Sequence, residues 1–306
     1  VQNLDSIPMP AWHLFDMDLY KRQPPGSNWK YYASIIGSRG CPFKCTFCYR
    51  NFDGSFRLRS MDNVLSEISF LIDKYDIDHF LFSDELFLGS KERILEFGKQ
   101  VKKQKLKFDF KVSLHVSCIS KETVQALKDA GCVLVCVGVE HASDKMLKIM
   151  KKNATKERNR KALKTLKDAG LPVSCSTIFG MPGETTETMK ETEDFYHDLQ
   201  MAASIHIAQP LPGTWFYDYA VEKGHIKDEI EYLMNLPEGT HKMAVNCSEV
   251  SDQELQETVA RVSRETWELY RKYNYMSKMD QAFHFIKMGK YRTLLRGVVH
   301  KIKKTF

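Results

Sequence analysis

The chain has 306 residues and a mass of 35.5 kDa, with 43% hydrophobic and 27% charged residues. That composition belongs to a globular protein with a sizeable core and excludes a disordered, collagen-like or disulfide-scaffold chain. The net charge of +6 is a C-terminal feature, because Met276 to Phe306 hold eight Lys/Arg against Asp280 alone.

Residues 1–30 are rich in Pro and aromatics and read as an extended, linker-like lead-in. Short apolar, β-branched runs then alternate with segments of helical period, the pattern of a parallel sheet with crossover helices. Strands are predicted at Ala33–Ser38, His79–Ser83, Phe108–His115, Val133–Val139, Pro172–Phe179 and Ser204–Gln209. Helices are predicted at Asp62–Lys74, Ser90–Lys105, Lys121–Ala130, Ser143–Lys151, Lys156–Ala169 and Thr186–Leu199. Gly131 and Gly170 follow two of these helices as stop signals. Six βα units imply an α/β fold with a partial (β/α)6 barrel over 31–215, open because closure takes about eight. After Pro210 the chain reads as helical to its end, a C-terminal helical region over 216–306 that includes Asp252–Tyr273 capped by Ser251.

The longest apolar run, Ala130 to Val139, has ten residues, short of the roughly 18 of a membrane span. No secretory leader is visible, so a cytoplasmic location is expected. The first residue is Val1, which fits a trimmed chain or a piece of a longer one.

Chemistry begins with Ser38-Arg-Gly-Cys41-Pro-Phe-Lys-Cys45-Thr-Phe-Cys48, directly after the first strand. Loops at the C-terminal ends of such strands hold the chemistry of these folds. Three thiolates within eight residues can wrap one soft metal centre, zinc or iron–sulfur. Structural zinc commonly takes two CxxC-type pairs, and no second pair exists here. Three ligands to a 4Fe–4S cluster leave one iron open. Cys118, Cys132, Cys136, Cys175 and Cys247 lie in mostly apolar surroundings and read as small core hydrophobes. Arg39 could tune a cluster by its charge or merely salt-bridge a neighbour.

With these residues in view, the sequence resembles the radical SAM superfamily. The CxxxCxφC motif is met in full, with Phe47 as the aromatic before the last cysteine. Ser83-Asp84-Glu85 stands where the family has a polar motif for the amino group of S-adenosylmethionine (SAM). Val137-Gly-Val-Glu140-His-Ala-Ser resembles the family's "GxES", and Phe179-Gly-Met-Pro-Gly-Glu184-Thr its "GxPGET" turn beside adenine. Gln209-Pro-Leu-Pro-Gly-Thr214 resembles the "PxPGT" of one branch. The resemblance implies a 4Fe–4S cluster on Cys41, Cys45 and Cys48, and SAM contacts from Phe47, Asp84, Glu85, Glu140, Gly180 and Gly183. It further implies reductive cleavage of SAM to a 5′-deoxyadenosyl radical that abstracts hydrogen from an organic substrate. A low-potential donor of the flavodoxin or ferredoxin type would supply the electron. No catalytic residue beyond these is assigned.

The lead-in Leu4–Trp12 and the Pro-Leu-Pro-Gly-Thr turn most resemble the branch whose barrel follows a cobalamin-binding domain. Its members methylate, cyclise or rearrange lipids, tetrapyrroles, antibiotics and peptides. The Asp-x-His-x-x-Gly of that domain is missing, since none of the ten histidines has an Asp two residues before it. Cobalamin would therefore come through a domain not in this chain. Two alternatives stand beside this: a cobalamin-independent relative such as a methylthiotransferase, and a non-catalytic iron–sulfur or zinc-binding module. From Tyr291 on, Leu294, Leu295, Val298, Val299 and Ile302 follow helical spacing among Arg296, Lys301, Lys303 and Lys304. Such a basic amphipathic stretch is expected either to pack on the barrel or to make peripheral contact with the inner face of a membrane. Aromatics spaced to stack bases are sparse, so nucleic acid is not expected as a partner.

Overall fold

A computed structural model describes residues 1–20, 31–49, 55–86, 88–239 and 242–274. The described part of the lead-in, residues 1–20, is not extended. It makes single turns at Leu4–Ser6 and Trp12–Leu14 and a short helix α1 (Met17–Tyr20), the first turn being capped by Asn3, whose side chain accepts from the Asp5 N–H. Strand β1 (Tyr32–Ile35) follows, then a two-stranded antiparallel pair, β2 (Ser38–Arg39) with β3 (Arg57–Leu58). Strand β1 therefore stops before the predicted Ser38, because that residue pairs with Leu58 instead.

Helix α2 (Met61–Tyr75) leads to β4 (His79–Phe82), α3 (Lys91–Lys103) to β5 (Asp109–Leu114), and α4 (Lys121–Asp129) to β6 (Cys132–Glu140). Two helices, α5 (Asp144–Ile149) and α6 (Lys156–Asp168), precede β7 (Val173–Phe179), and α7 (Thr186–Leu199) precedes β8 (Ala203–Ile207). The sheet is parallel throughout, in the order β1-β4-β5-β6-β7-β8. Because that order never reverses, right-handed crossovers put every connecting helix on one face. The other face is left as the wall of an open, barrel-like lumen.

The helices start where the sequence offers a hydroxyl. Ser60, Ser90, Ser120, Thr155 and Thr185 each accept a backbone N–H three residues on, at the first turns of α2, α3, α4, α6 and α7. Gly131 and Gly170 take the left-handed conformation just past α4 and α6, where a β-carbon would be penalised. Between helices and sheet, Phe80, Phe97 and Phe110 are fully buried, and Phe110 meets Phe82 and Phe97 edge-on at 5.8 and 5.3 Å.

Beyond the sheet lie α8 (Trp215–Glu222), α9 (Glu229–Met234) and α10 (Asp252–Asn274). The region is not helical throughout: 236–250 has no helix among its described residues, in keeping with Pro237, Gly239 and the turn in which Asn246 Oδ1 accepts from Ser248 N–H. Helix α10 covers the free edge of β8. Leu255, Val259 and Val262 are buried, and Ala203 N–H donates to Thr266 Oγ1 at 3.3 Å. No described helix is long and apolar enough to cross a membrane. The basic stretch from Tyr291 lies outside the described residues. Replacing Phe110 by Ala should lower stability by about 3–5 kcal/mol in urea unfolding; a loss under about 1 kcal/mol would mean that this aromatic cluster is not the core.

Candidate active site

The cysteine loop is held at both ends. At its start, Gly37 N–H donates to both oxygens of Asp84 at 2.8 and 3.0 Å, and Ser38 Oγ donates to Oδ1 at 2.6 Å. Gly40, with φ of 81°, then turns the chain into Cys41. Further on, Thr46 N–H donates to Met150 O at 3.0 Å and Thr46 Oγ1 to Ile149 O at 3.2 Å, tying the loop to the end of α5. Phe216 N–H donates to Thr46 O at 3.1 Å, which brings the start of α8 against it. Phe47 is half-buried beside these elements.

Cys41 and Cys45 are half-buried and Cys48 is exposed, and all three are free thiols. Burial pushes Cys45 up to about 11, while the Lys152 ammonium pulls it down and the charges of Cys48, Glu140 and Cys41 push it further up. Burial and the neighbouring Cys41 likewise raise Cys48. Three thiolates brought to one centre would repel one another and need added positive charge, which a bound cluster would supply. The donor set fits a cluster better than a lone ion. Among the described residues, no group of three metal-type donor atoms within 4.8 Å of one another includes these cysteines. The trio that does gather so closely, Glu193, His197 and Glu265, is already occupied: Arg261 holds Glu193 at 2.7 and 3.1 Å and Glu265 at 3.2 Å.

Glu140 ends β6 and is buried. A register shift between Gly138 and Glu140 and a φ of 60° re-aim its side chain, a strained arrangement for a residue with a β-carbon. Its Oε1 accepts from Lys152 Nζ at 2.7 Å. Burial pulls the Lys152 ammonium down, but the charge and hydrogen bond of Glu140, together with the charges of Cys45 and Cys48, hold the pKa above the ordinary lysine value. Gly138 makes room for this pair, since a β-carbon there would stand 2.2 Å from Glu140 Oε1 and 2.9 Å from Lys152 Nζ.

The two acids after β4 part company. Asp84 is spent on Gly37 and Ser38, whereas Glu85 is exposed and close enough for its charge to raise Cys48. Gly180 and Gly183 both have positive φ, 92° and 79°, and flank the Met181-Pro182 turn after β7. That turn is locked to the end of β6. Ser143 N–H donates to His141 Nδ1 at 2.9 Å, so the ring proton sits on Nε2 and is donated to Glu184 Oε1 at 2.9 Å. Thr188 Oγ1 also donates to Glu184 Oε1, at 2.6 Å, and His141 and Glu184 are fully buried. Glu184 therefore braces the turn. Arg39 is exposed on β2 and lines a cleft with Trp12, Arg59 and Glu67.

Sequence reasoning missed two residues. Lys152 was hidden in Lys151-Lys152-Asn153, which looks like a solvated charge run. His115 follows β5, is buried and stacks on Phe43 of the cysteine loop with ring centroids 4.1 Å apart. Its position at a strand end was the available signal. Below the site, part of the lumen wall is polar, next to a level formed by Leu81, Lys111 and Leu134. Ser113, Cys136 and Ser174 share one level, and Gly138, Ser176 and Ser204 the next. The alternate residues Val112, Leu114, Val135, Val137, Cys175 and Thr177 are buried against the helices.

A family model described as the Radical SAM superfamily matches residues 35–196. The chain belongs to the radical SAM superfamily, whose members use a 4Fe–4S cluster and SAM. It is 34% identical over 224 residues to the uncharacterized methyltransferase PH0819 of Pyrococcus horikoshii, covering 72% of this chain and 48% of that protein. It is 29% identical over 201 residues to the anaerobic magnesium-protoporphyrin IX monomethyl ester cyclase of Rubrivivax gelatinosus, covering 65% and 36%. The radical SAM methyltransferase TsrM of Kitasatospora setae, solved with cobalamin and a 4Fe–4S cluster, shares the fold with a TM-score of 0.58 at 21% identity, over 68% of this chain and 41% of that one. The chain thus spans about half or less of each protein's length.

The burial of His115 has a consequence in solution. Burial lowers its pKa from 6.5 to about 4. Between those values the unfolded chain takes up the proton and the folded chain does not, so stability should fall as pH drops through that window. Urea unfolding at pH 7 and pH 5 should show the loss, and His115→Gln should make it smaller; identical slopes in the two proteins would contradict the assignment.

Proposed function

We propose that this chain is the radical-generating part of an enzyme that cleaves SAM reductively and abstracts hydrogen from an organic substrate. The observation that carries this is the Glu140–Lys152 pair beside three thiols, at 2.7 Å. SAM ends in an ammonium and a carboxylate, and a carboxylate–ammonium pair in the protein matches both charges. Residues 31–215 would form the catalytic barrel, with 1–30 as lead-in and 216–306 as C-terminal extension.

Cys41, Cys45 and Cys48 would hold the cluster by one iron each. When bound, the cluster supplies the electron that breaks the S–C5′ bond of SAM to give the 5′-deoxyadenosyl radical. Glu140 would accept hydrogen bonds from the SAM ammonium or ribose, and Lys152 would donate to its carboxylate. Glu85 is the better second acceptor for the ammonium, because the oxygens of Asp84 already serve Gly37 and Ser38. Phe47 would shield the loop from water, and the backbone at Gly180 and Gly183 would approach the adenine.

Relatives named methyltransferase and cyclase favour methylation or cyclisation as the outcome. Any cobalamin would come from a domain outside the described residues. The two serine-bearing levels of the lumen favour a polar moiety in the substrate. A low-potential flavodoxin or ferredoxin would serve as reductant, in a reducing compartment such as the cytoplasm. The basic stretch from Tyr291 would add contact with an anionic membrane face. Removing residues 287–306 should abolish co-sedimentation with phosphatidylglycerol vesicles; equal binding by both chains removes the membrane from the account.

After anaerobic reconstitution with iron and sulfide, dithionite and SAM should yield 5′-deoxyadenosine. Cys41→Ala should abolish both cluster and product, whereas Cys132→Ala should keep both. A full cluster without product overturns the reading and leaves a non-catalytic iron–sulfur module.

A further inference from the structure

We propose that His115 is a positioning residue that pins the cysteine loop to the Glu140–Lys152 pair. The inference rests on the function proposed above and names a residue that neither the sequence motifs nor the relatives assign.

The imidazole makes two kinds of contact at once. Its face lies on Phe43, the middle residue between Cys41 and Cys45, with centroids 4.1 Å apart and planes inclined by 24°. Its edge is fully used. Ser117 N–H donates to Nδ1 at 3.2 Å, so Nε2 carries the proton and donates to Lys152 O at 3.1 Å. Ser117 Oγ lies 2.8 Å from Nδ1 and fixes the ring further. Burial, with the charges of Lys152 and Arg158, keeps the ring neutral at physiological pH, as this tautomer requires.

The carbonyl it holds is an unusual one. Lys151 and Asn153, on either side of Lys152, have φ of 48° and 54°. Two left-handed residues with β-carbons are costly and persist only where neighbours over-determine them. Lys152 N–H donates to Leu147 O at 3.1 Å, and His115 takes the carbonyl, so the backbone that aims the ammonium at Glu140 is held on both sides. A histidine kept only for packing would need neither nitrogen. Here the stack sets the cysteine loop and the hydrogen bond sets Lys152, so one ring fixes the distance between cluster ligands and the charges that meet SAM.

The two contacts can be separated. His115→Phe keeps a ring on Phe43 and loses the bond to Lys152 O. His115→Gln keeps an amide donor near Nε2 and loses the stack. Both proteins and the wild type would be reconstituted anaerobically, checked for fold by thermal melting and assayed for iron and sulfide. SAM would then be titrated against the electron paramagnetic resonance signal of the reduced cluster. His115→Phe should hold wild-type iron but bind SAM about tenfold more weakly, the effect of one lost buried hydrogen bond. His115→Gln should bind SAM within about twofold of wild type while carrying less iron. Wild-type SAM affinity in His115→Phe, or equal losses of affinity in both variants, overturns the inference. Should His115→Phe fail to fold, Phe43→Leu replaces it: less iron with unchanged SAM affinity of the loaded fraction supports the division of roles, and unchanged iron overturns it. A wild-type cluster whose signal ignores SAM overturns the function proposed above and this inference with it.

Discussion

Much of the site depends on one buried ion pair. Lys152 and Glu140 stand 2.7 Å apart with only 12% and 9% of their side chains exposed. Taking both charges out of water is costly, and their mutual attraction does little more than offset that cost. Removing one partner alone would strand the other, at about 3–5 kcal/mol. Such a pair is poor evidence for stability and better evidence for exchange, because an incoming zwitterion can replace each partner with a matching charge. The strained backbone supports the same view. Glu140, Lys151 and Asn153 all sit at positive φ, and strain of this kind collects at functional sites.

The fold makes that pair possible by setting strand ends side by side. A parallel sheet whose order never reverses places the ends of β1, β4, β6 and β7 around one mouth. Asp84, after β4, closes the turn after β1, while Thr46 ties the cysteine loop to α5 and Glu184 braces the turn after β7 through His141. Helix α10 then covers the free edge of β8 and touches the same turn, where a β-carbon on Gly180 would meet Leu255 at 3.1 Å. Part of the lumen below stays polar because small hydroxyl residues occupy positions that alternate with core valines.

The sheet is legible in the sequence because strand-like apolar runs and segments of helical period alternate from Met61 to Ile207. The cysteine trio stands out in the sequence because three thiols at fixed spacing have few other uses. Local geometry was harder to foresee. Nothing in Ser83-Asp84-Glu85 says which acid will be consumed by Gly37 and Ser38, since that depends on a contact across 47 positions of chain. Lys152 was obscured because a lysine beside a lysine looks solvated, and its burial follows from the left-handed turn around it. The region after Pro210 reads as helical to its end in the sequence, yet Pro237, Gly239 and the Asn246 turn interrupt it.

The most direct test follows the amino-acid end of SAM to the metal. Electron–nuclear double resonance on the reduced, reconstituted chain, with SAM labelled by 15N at the amino group and 17O at the carboxylate, reads contact with the open iron. The account predicts coupling from both labels, each lost when Cys45 is replaced by Ala. A reduced cluster that shows neither coupling at saturating SAM would contradict it.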